Sequence, residues 1–147
     1  MINQQCITVT TDSKIKCDDR NNRCAIIVNS EKKSYNKIRV DGCAINDGVR
    51  ADWAVEKGNA AIIIELKGKN VEHAADQVFR TAQFWTNEFS RSTSIAGLIV
   101  ANQYPKSSTS IQLRQQKFAK KFRGPLHVVT KNDEFYFDKI LSFKGPR

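Results

Sequence analysis

Two acidic residues and a lysine are spaced so that one β-hairpin would bring their side chains together. Asp52 precedes Glu65 by twelve intervening residues, and Lys67 lies two residues after Glu65, on the same strand face. A turn centred on Gly58-Asn59 places Asp52 directly opposite Glu65, with the two Cβ atoms about 4.5–5.5 Å apart. Like charges at that separation destabilise a strand pair, so we expect a cation between them.

The chemistry expected of this group is metal-assisted hydrolysis. Carboxylate oxygens suit hard divalent cations, and Mg²⁺ uses one or two carboxylates together with waters and substrate phosphates. A lysine beside the hydrated ion can orient or deprotonate the attacking water, while the ion neutralises charge on a phosphoryl oxygen. The residues therefore predict phosphodiester hydrolysis with Mg²⁺, for which Mn²⁺ would substitute.

A preceding hairpin would add a third acidic residue to the group. A symmetric turn centred on Asp47-Gly48 sets Cys43 opposite Asp52 and Asp41 opposite Ala54. Asp41 would then be a diagonal neighbour of Asp52 and an auxiliary site residue. Both registers assume hairpins without bulges, because a slip of one residue would turn Asp52 to the other face.

The elements that position these side chains form three strands followed by a helix. Residues 37–45 and 50–56 alternate in polarity, whereas Ala60–Lys67 is apolar on both faces, as expected of a central strand. From Val71 the apolar residues recur at helical spacing, with Asn70 as N-cap. Phe79, Trp85 and Phe89 fall on this apolar stripe and are predicted core residues, as is Trp53 on the strand face opposite Asp52.

The rest of the chain continues the alternation of strands and helices. Residues 95–101 read as a buried strand, parallel to Ala60–Lys67 because a helix crosses between them. Ser108 or Ser110 would cap a basic helix ending near Phe122, and strands are predicted at 126–130, where His127 is structural, and 134–137. The order is β-β-β-α-β-α-β-β, behind residues 1–36, which are interpreted as a lead-in with a loop at 10–23.

This arrangement resembles the PD-(D/E)xK superfamily of restriction-endonuclease-like nucleases over residues 37–101. The resemblance implies a mixed central sheet, with an antiparallel meander, a crossover helix and a further strand, flanked by helices in an α/β fold. It implies that Asp52, Glu65 and Lys67 are catalytic and that the Leu66 carbonyl completes the metal shell. Gln77 matches a helical glutamine of some branches, whereas Thr81 replaces their tyrosine and Ala51 replaces the motif's proline. Glu31 is the match for a glutamate that many members carry on an N-terminal helix.

Composition and charge agree with one nucleic-acid-binding domain. The 147 residues are 40% hydrophobic and 27% charged, with three Pro and seven Gly, which excludes disordered, collagen-like and coiled-coil chains. The longest apolar run, at 60–65, is too short to span a bilayer, and the N-terminus lacks a basic and apolar leader. We therefore expect a single cytoplasmic domain over 1–147 that makes no membrane contact.

The net charge of +9 favours a polyanionic partner, above all DNA. The candidates for phosphate contacts are the densest cationic cluster and two residues just after the motif. For each of these candidates the alternative is a solvated surface position. For Gln77 the alternative is a polar position at the surface or at the boundary of the helix's apolar stripe. These candidates are Lys69, His73, Arg114, Lys117, Lys120, Lys121 and Arg123.

Four cysteines, Cys6, Cys17, Cys24 and Cys43, match neither paired zinc-ligand motifs nor a short secreted disulfide framework. Free thiols are expected, and zinc bound by Cys17 and Cys24 with a distant ligand is the alternative.

The functional prediction is a metal-dependent DNA endonuclease, and cutting both strands would favour a homodimer. The alternatives are an inactive nuclease-like protein that binds nucleic acid or serves in an assembly, and a small-molecule enzyme or interaction domain with an incidental basic surface.

Overall fold

A computed structural model describes residues 1–103 and 109–147 of the chain. The strands are β1 (Ile7–Thr10), β2 (Lys14–Asp18), β3 (Cys24–Val28), β4 (Tyr35–Arg39), β5 (Trp53–Lys57), β6 (Ala60–Lys67), β7 (Ser94–Ala101), β8 (Leu126–Val129) and β9 (Asp133–Tyr136). The helices are α1 (Val71–Gln83), α2 (Thr109–Phe122) and α3 (Phe137–Ile140), with a 3₁₀ turn at Gln4–Cys6 and a π-helical turn at Phe84–Glu88.

The main sheet is mixed and has six strands in the order β1-β4-β5-β6-β7-β8. The pairs β1–β4, β4–β5 and β5–β6 are antiparallel, whereas β6–β7 and β7–β8 are parallel. The central strand β6 has the predicted bounds, and its residues 61–66 are all buried. The predicted mixed sheet, with its antiparallel meander and its parallel crossover strand, is thus confirmed.

One face of this sheet is covered by α1 and α2. Asn70 caps α1 as predicted, its Oδ1 accepting a hydrogen bond from the His73 amide at 3.0 Å. Trp85 is fully buried, and Phe79 and Phe89 pack against the same core. Gly97 on β7 permits the close approach of the helix, since a Cβ there would lie 2.7 Å from Val78 Cγ1.

The opposite face is covered by a second sheet of three strands, in the order β2-β3-β9, and by α3. The predicted lead-in and its loop at 10–23 are wrong, because β1, β2 and β3 lie within residues 1–36. Sequence reasoning missed the short strand β2 because most of its residues are polar and exposed, and only Ile15 and Cys17 are buried. The β3 strand lies antiparallel to β2 and parallel to the late strand β9.

The predicted first hairpin is also wrong. Strand β4 ends at Arg39, and its register pairs Ile38 with Ala54. Cys43 therefore does not lie opposite Asp52, and Asp41 does not lie opposite Ala54. The physical reason is a turn: the Ile45 amide donates to the Val40 carbonyl at 3.0 Å, so these two buried residues pack from a loop and not from a strand.

A disulfide joins Cys6 to Cys43, with the Cα atoms 5.6 Å apart, so the expectation of four free thiols is wrong. Cys17 and Cys24 are free. The bond attaches the segment before β1 to the loop between β4 and β5. Disulfides are rare in cytosolic proteins, so this bond does not support the predicted cytoplasmic location. That location stays a prediction.

The later elements follow the predicted order. Ser110 lies inside α2 rather than before it, and Ser108 lies outside the described residues. His127 is structural as predicted: its Nε2 lies 2.9 Å from the Ile140 carbonyl, and burial lowers its pKa. Among the described residues, no helix has the length and apolar character needed to cross a membrane.

A buried ionic cluster fixes the far end of β5 against the π-helical turn. Glu56 accepts two hydrogen bonds from Arg91, at 2.7 and 2.8 Å, and one from Trp85 Nε1 at 2.7 Å. Burial opposes ionisation of this carboxyl, but hydrogen bonds from Arg91, Trp85 and Asn36 hold its pKa below the usual value.

We expect Arg91→Leu to destabilise the fold by about 3–5 kcal/mol, because it leaves the buried Glu56 carboxylate without its cation. Since the pKa of Glu56 is lowered in the folded state, the contribution is present above the ordinary glutamate pKa and is lost on acidification through the folded value. Urea unfolding at several pH values measures both effects. The control is Asp138→Asn, which removes an exposed pair with Lys57 at 3.9 Å and should cost under about 1 kcal/mol. Equal losses in the two variants would contradict the assignment.

Candidate active site

A cleft of about 550 Å³ opens at the edge of the main sheet where β5 begins and β6 ends. The loop between β2 and β3 and the loop between β4 and β5 form its rim, and Gln77 of α1 reaches it from the helical face. Its charged lining residues are Asp18, Asp19, Arg20, Arg23, Arg39, Asp41, Asp52, Glu65 and Lys67.

The predicted second hairpin brings Asp52 and Glu65 together. Strand β5 pairs Trp53 with Ile64, and the Asp52 amide donates to the Ile64 carbonyl at 3.2 Å. The predicted register is confirmed from Trp53 to Lys57, whereas Asp52 lies one residue before the paired strand, with its carboxyl close enough to that of Glu65 to affect its pKa. Trp53 points to the other face, as predicted, and its Nε1 donates to the Asp18 carbonyl at 3.0 Å.

Glu65 lies at the base of this cleft, only 3% exposed, with its Oε2 3.3 Å from Lys67 Nζ. Its other oxygen, Oε1, is buried and has no hydrogen-bond partner among the described residues. Burial and then the charge of Asp52 raise the pKa of Glu65 to about 8, despite the attraction of Lys67. Burial also raises the pKa of Asp52, which the Leu66 amide opposes. The site therefore holds two carboxyl groups that resist becoming charged together.

This donor set fits a divalent cation. The Leu66 amide donates to Asp52 Oδ2 at 3.0 Å. In a strand the carbonyl of a residue points to the same side as its amide, so the Leu66 carbonyl faces the same end of the cleft. The described residues contain no cluster of three or more His, Cys, Asp or Glu side chains arranged around one point. A cation here would therefore rely on two carboxylates, water and substrate oxygens, as Mg²⁺ commonly does.

Helix α1 holds the segment that precedes Asp52. Thr81 Oγ1 accepts a hydrogen bond from the Ala51 amide at 2.8 Å, and Gln77 Nε2 donates to the Arg50 carbonyl at 2.9 Å. Gln77 thus lines the cleft, as predicted, and its side-chain nitrogen positions the backbone of Arg50. The Thr81 hydroxyl also positions the backbone just before Asp52.

Asp41 reaches the cleft by a route other than the predicted one. Its amide donates to the Asp52 carbonyl at 3.3 Å, and its Oδ1 accepts from Arg50 Nε at 2.8 Å. The loop between β4 and β5, not a strand register, makes Asp41 a neighbour of Asp52. Its carboxylate is engaged by Arg50.

Several predicted residues lie away from the cleft. Glu31 is exposed in a turn, 3.7 Å from Lys33, and not on a helix, so its proposed match is wrong. Lys69 and His73 are exposed just beyond the cleft lining.

The basic residues of α2 also lie elsewhere. Arg114 pairs with Asp76 at 3.0 Å and with Glu72 at 3.6 Å. Arg114 and Lys117 line a different groove, between α1 and α2, whereas Lys120, Lys121 and Arg123 are exposed. Nucleic-acid contacts by these five residues stay a prediction.

The cations that do surround the cleft were missed by sequence reasoning. They are Arg20 and Arg23 of the loop between β2 and β3, and Arg39 at the end of β4. Arg39 lies over the Trp53 ring at 5.7 Å, beside Lys37 at 4.6 Å. The available signal was a turn of polar residues, 18–23, between two short alternating segments, which would have indicated a hairpin.

The alternative of zinc bound by Cys17 and Cys24 gains no support from the geometry. Cys17 is completely buried between the two sheets, and burial raises its pKa to about 12. Zinc binds the thiolate form, which this environment disfavours.

No family model, curated protein or solved structure matches this chain.

We expect Thr81→Val to destabilise the fold by about 1–3 kcal/mol, because the buried Ala51 amide would lose its hydrogen-bond acceptor. Urea unfolding measures the loss. The matched control is Thr86→Val, since the Thr86 hydroxyl bonds within its own turn, to the Ala82 carbonyl at 3.3 Å. A Thr81 variant as stable as this control would show that the contact contributes nothing.

The raised pKa of Glu65 predicts a pH-dependent stability in metal-free buffer. The folded protein retains a proton that the unfolded chain releases above about pH 4.5. The unfolding free energy should therefore fall as the pH rises from about 4.5 to about 8, by at most about 1.4 kcal/mol per pH unit. Glu65→Gln should remove that slope and be the more stable protein at pH 8. Parallel pH profiles of the two proteins would show that Glu65 is ionised at neutral pH.

Proposed function

We propose that this protein is a metal-dependent nuclease that hydrolyses phosphodiester bonds, with DNA as the substrate and internal bonds as the point of cleavage. The observation that carries the proposal is the buried Glu65 carboxyl, close to Asp52 and 3.3 Å from Lys67, at the base of a cleft whose rim carries three arginines and three aspartates. Two buried carboxyl groups placed close together lower the stability of the fold, and such arrangements are typical of functional sites.

Asp52, Glu65 and the Leu66 carbonyl would hold one divalent cation, Mg²⁺ or in its place Mn²⁺. When bound, such a cation neutralises charge on the phosphoryl group and lowers the pKa of a water molecule. The unpartnered Oε1 of Glu65 supports this assignment, because a buried oxygen without a hydrogen bond costs about 1–3 kcal/mol that a ligand can offset.

Lys67 is assigned to the attacking water. Its Nζ lies beside Glu65 and is partly exposed to the cleft, so it can hold and orient a water molecule whose proton passes to solvent. The water oxygen forms a new bond to phosphorus, the bond from phosphorus to the leaving oxygen breaks, and the leaving oxygen takes up a proton from solvent. Gln77 and Asp41 assist by holding the Arg50 backbone and side chain next to Asp52.

The choice of a polyanionic substrate rests on charge. The chain carries a net +9, and three arginines, Arg20, Arg23 and Arg39, stand around the acidic group. The net charge attracts phosphates to the protein, and the arginines offer hydrogen-bond donors to them, although three aspartates share the same rim. A homodimer would supply two sites, one for each strand of a duplex. A protein that binds DNA without cleaving it is the alternative that the experiment below separates.

The experiment measures cleavage of plasmid, linear, branched and RNA substrates with Mg²⁺, Mn²⁺ or EDTA. We expect cleavage with either ion and none with EDTA. Asp52→Asn, Glu65→Gln and Lys67→Ala should each lower the rate by at least about 10³-fold, because each removes part of the stabilisation of the reacting phosphate or water. Glu31→Gln and Lys33→Ala are matched charge controls, because both residues are exposed in a turn outside the cleft lining, and they should keep the wild-type rate.

Metal binding is followed separately by the melting temperature. Mn²⁺ should raise that of the wild-type protein, and the rise should be absent in Glu65→Gln. DNA binding without cleavage and without a metal-dependent rise would overturn the nuclease proposal in favour of the binding protein.

A further inference from the structure

Arg23 is the best-held cation of the cleft rim. Its Nε donates to Asp19 Oδ2 at 2.8 Å, and its backbone amide donates to the other oxygen of the same carboxylate at 3.0 Å. The two side chains are only 19% and 16% exposed. Asp19 also accepts a hydrogen bond from the Asn21 amide, so one carboxylate orders both the loop and the guanidinium.

The guanidinium of Arg23 lies at the carboxyl end of β6. Its Nη1 is 3.5 Å from the position that a Cβ on Gly68 would occupy, and Gly68 directly follows Lys67. Arg23, Lys67 and Glu65 all line the same cleft.

The second sheet fixes the hairpin that carries this loop. Strand β3 is paired on both sides, with β2 and β9. Asn132 accepts a hydrogen bond from the Cys24 amide at 3.0 Å and donates to the Asn22 carbonyl at 3.0 Å. The Asp19 amide donates to the Arg23 carbonyl at 3.0 Å, which closes the loop. Arg23 is therefore placed by a rigid scaffold.

Arg23 has side-chain hydrogen-bond donors that are not engaged by the described residues. Among the described residues, its hydrogen bonds use Nε and the backbone amide and leave both terminal nitrogens unengaged. A planar guanidinium presents paired N–H groups that match two oxygens of a phosphate. Two other cations of the cleft have contacts of their own: the Lys67 ammonium lies beside the Glu65 carboxylate, and the Arg39 guanidinium lies over the Trp53 ring. Arg20, in the same loop, is exposed.

We propose that Arg23 is a catalytic residue of the hydrolysis described above, binding the nonbridging oxygens of the scissile phosphate, and that Asp19 is its positioning residue. The inference rests on the proposed function. As the water oxygen bonds to phosphorus and the leaving oxygen departs, negative charge grows on the nonbridging oxygens. The terminal N–H groups of Arg23 stabilise that charge and transfer no proton.

Steady-state cleavage of the best DNA substrate in Mg²⁺ tests the assignment. Arg23→Ala should lower kcat by about 10²–10³-fold, as the loss of one preorganised donor does. Arg23→Lys should lower kcat as well, because a single ammonium lacks the planar pair of donors. Arg147→Ala is the control, because Arg147 is also held by an aspartate, Asp133, at 2.9 Å but lies outside the cleft lining; it should keep kcat within about twofold. Added guanidinium ion should restore part of the rate to Arg23→Ala and none to Lys67→Ala.

The role of Asp19 is tested by a double-mutant cycle. Asp19→Asn should lower kcat in the wild-type background and have no further effect in Arg23→Ala, because it acts through that arginine. Additive losses would overturn the positioning role. Melting temperatures of all the variants identify any loss of rate that comes from unfolding.

The outcomes separate this inference from the proposal beneath it. Cleavage that Glu65→Gln abolishes but Arg23→Ala leaves within threefold of the wild-type rate overturns the Arg23 assignment alone. A wild-type protein that cleaves none of the substrates with either ion overturns both. Loss of kcat in Arg23→Ala with an unchanged melting temperature, rescued by guanidinium, supports the assignment.

Discussion

The opposition of two carboxyl groups across the β5–β6 hairpin is the constraint on which the cleft depends. The register that buries the apolar residues of β6 pairs Trp53 with Ile64, and the Asp52 amide bonds to the same Ile64 carbonyl, which leaves the Asp52 and Glu65 carboxyls close together. A shift of one residue would separate the two carboxyls but would turn each side chain of β6 out of the core in which it packs and into the other one. The two hydrophobic cores, one on each face of the main sheet, hold this register against the repulsion. Packing thus holds together two carboxyl groups that resist becoming charged at the same time.

The parts of the fold that sequence reasoning predicted are those set by local patterns. The turn at Gly58-Asn59, the strand Ala60–Lys67 and the N-cap at Asn70 depend on residues near each other in the chain. The predicted strand continues past Arg39, where the structure has a loop. Val40 and Ile45 fit the alternation of a strand, yet they bury their side chains from a turn. The pairing of β3 with β9 joins distant segments, and no local pattern encodes it.

The same division holds for the candidate site. Asp52, Glu65 and Lys67 follow from the two-residue period of a strand and one turn, and the structure brings them together. Asp19 and Arg23 come from a hairpin that reaches the cleft only through the second sheet. The Cys6–Cys43 bond depends on the path of the loop between β4 and β5, which the expected register misplaced. Residues brought in by tertiary structure were therefore the ones missed.

The parallel pairing of β3 with β9 has a consequence for how the molecule is assembled. Cys24 and Asn132, which bond to each other, stand 108 positions apart, so a large loop of chain must close before the small sheet is complete. Contacts so distant in sequence form late in folding. A nascent chain on the ribosome would have made the β5–β6 hairpin well before the arginine loop acquires its anchor. The part of the cleft formed by β5 and β6 thus forms first, and the loop that carries Asp19 and Arg23 reaches its final position only after β9 has been synthesised.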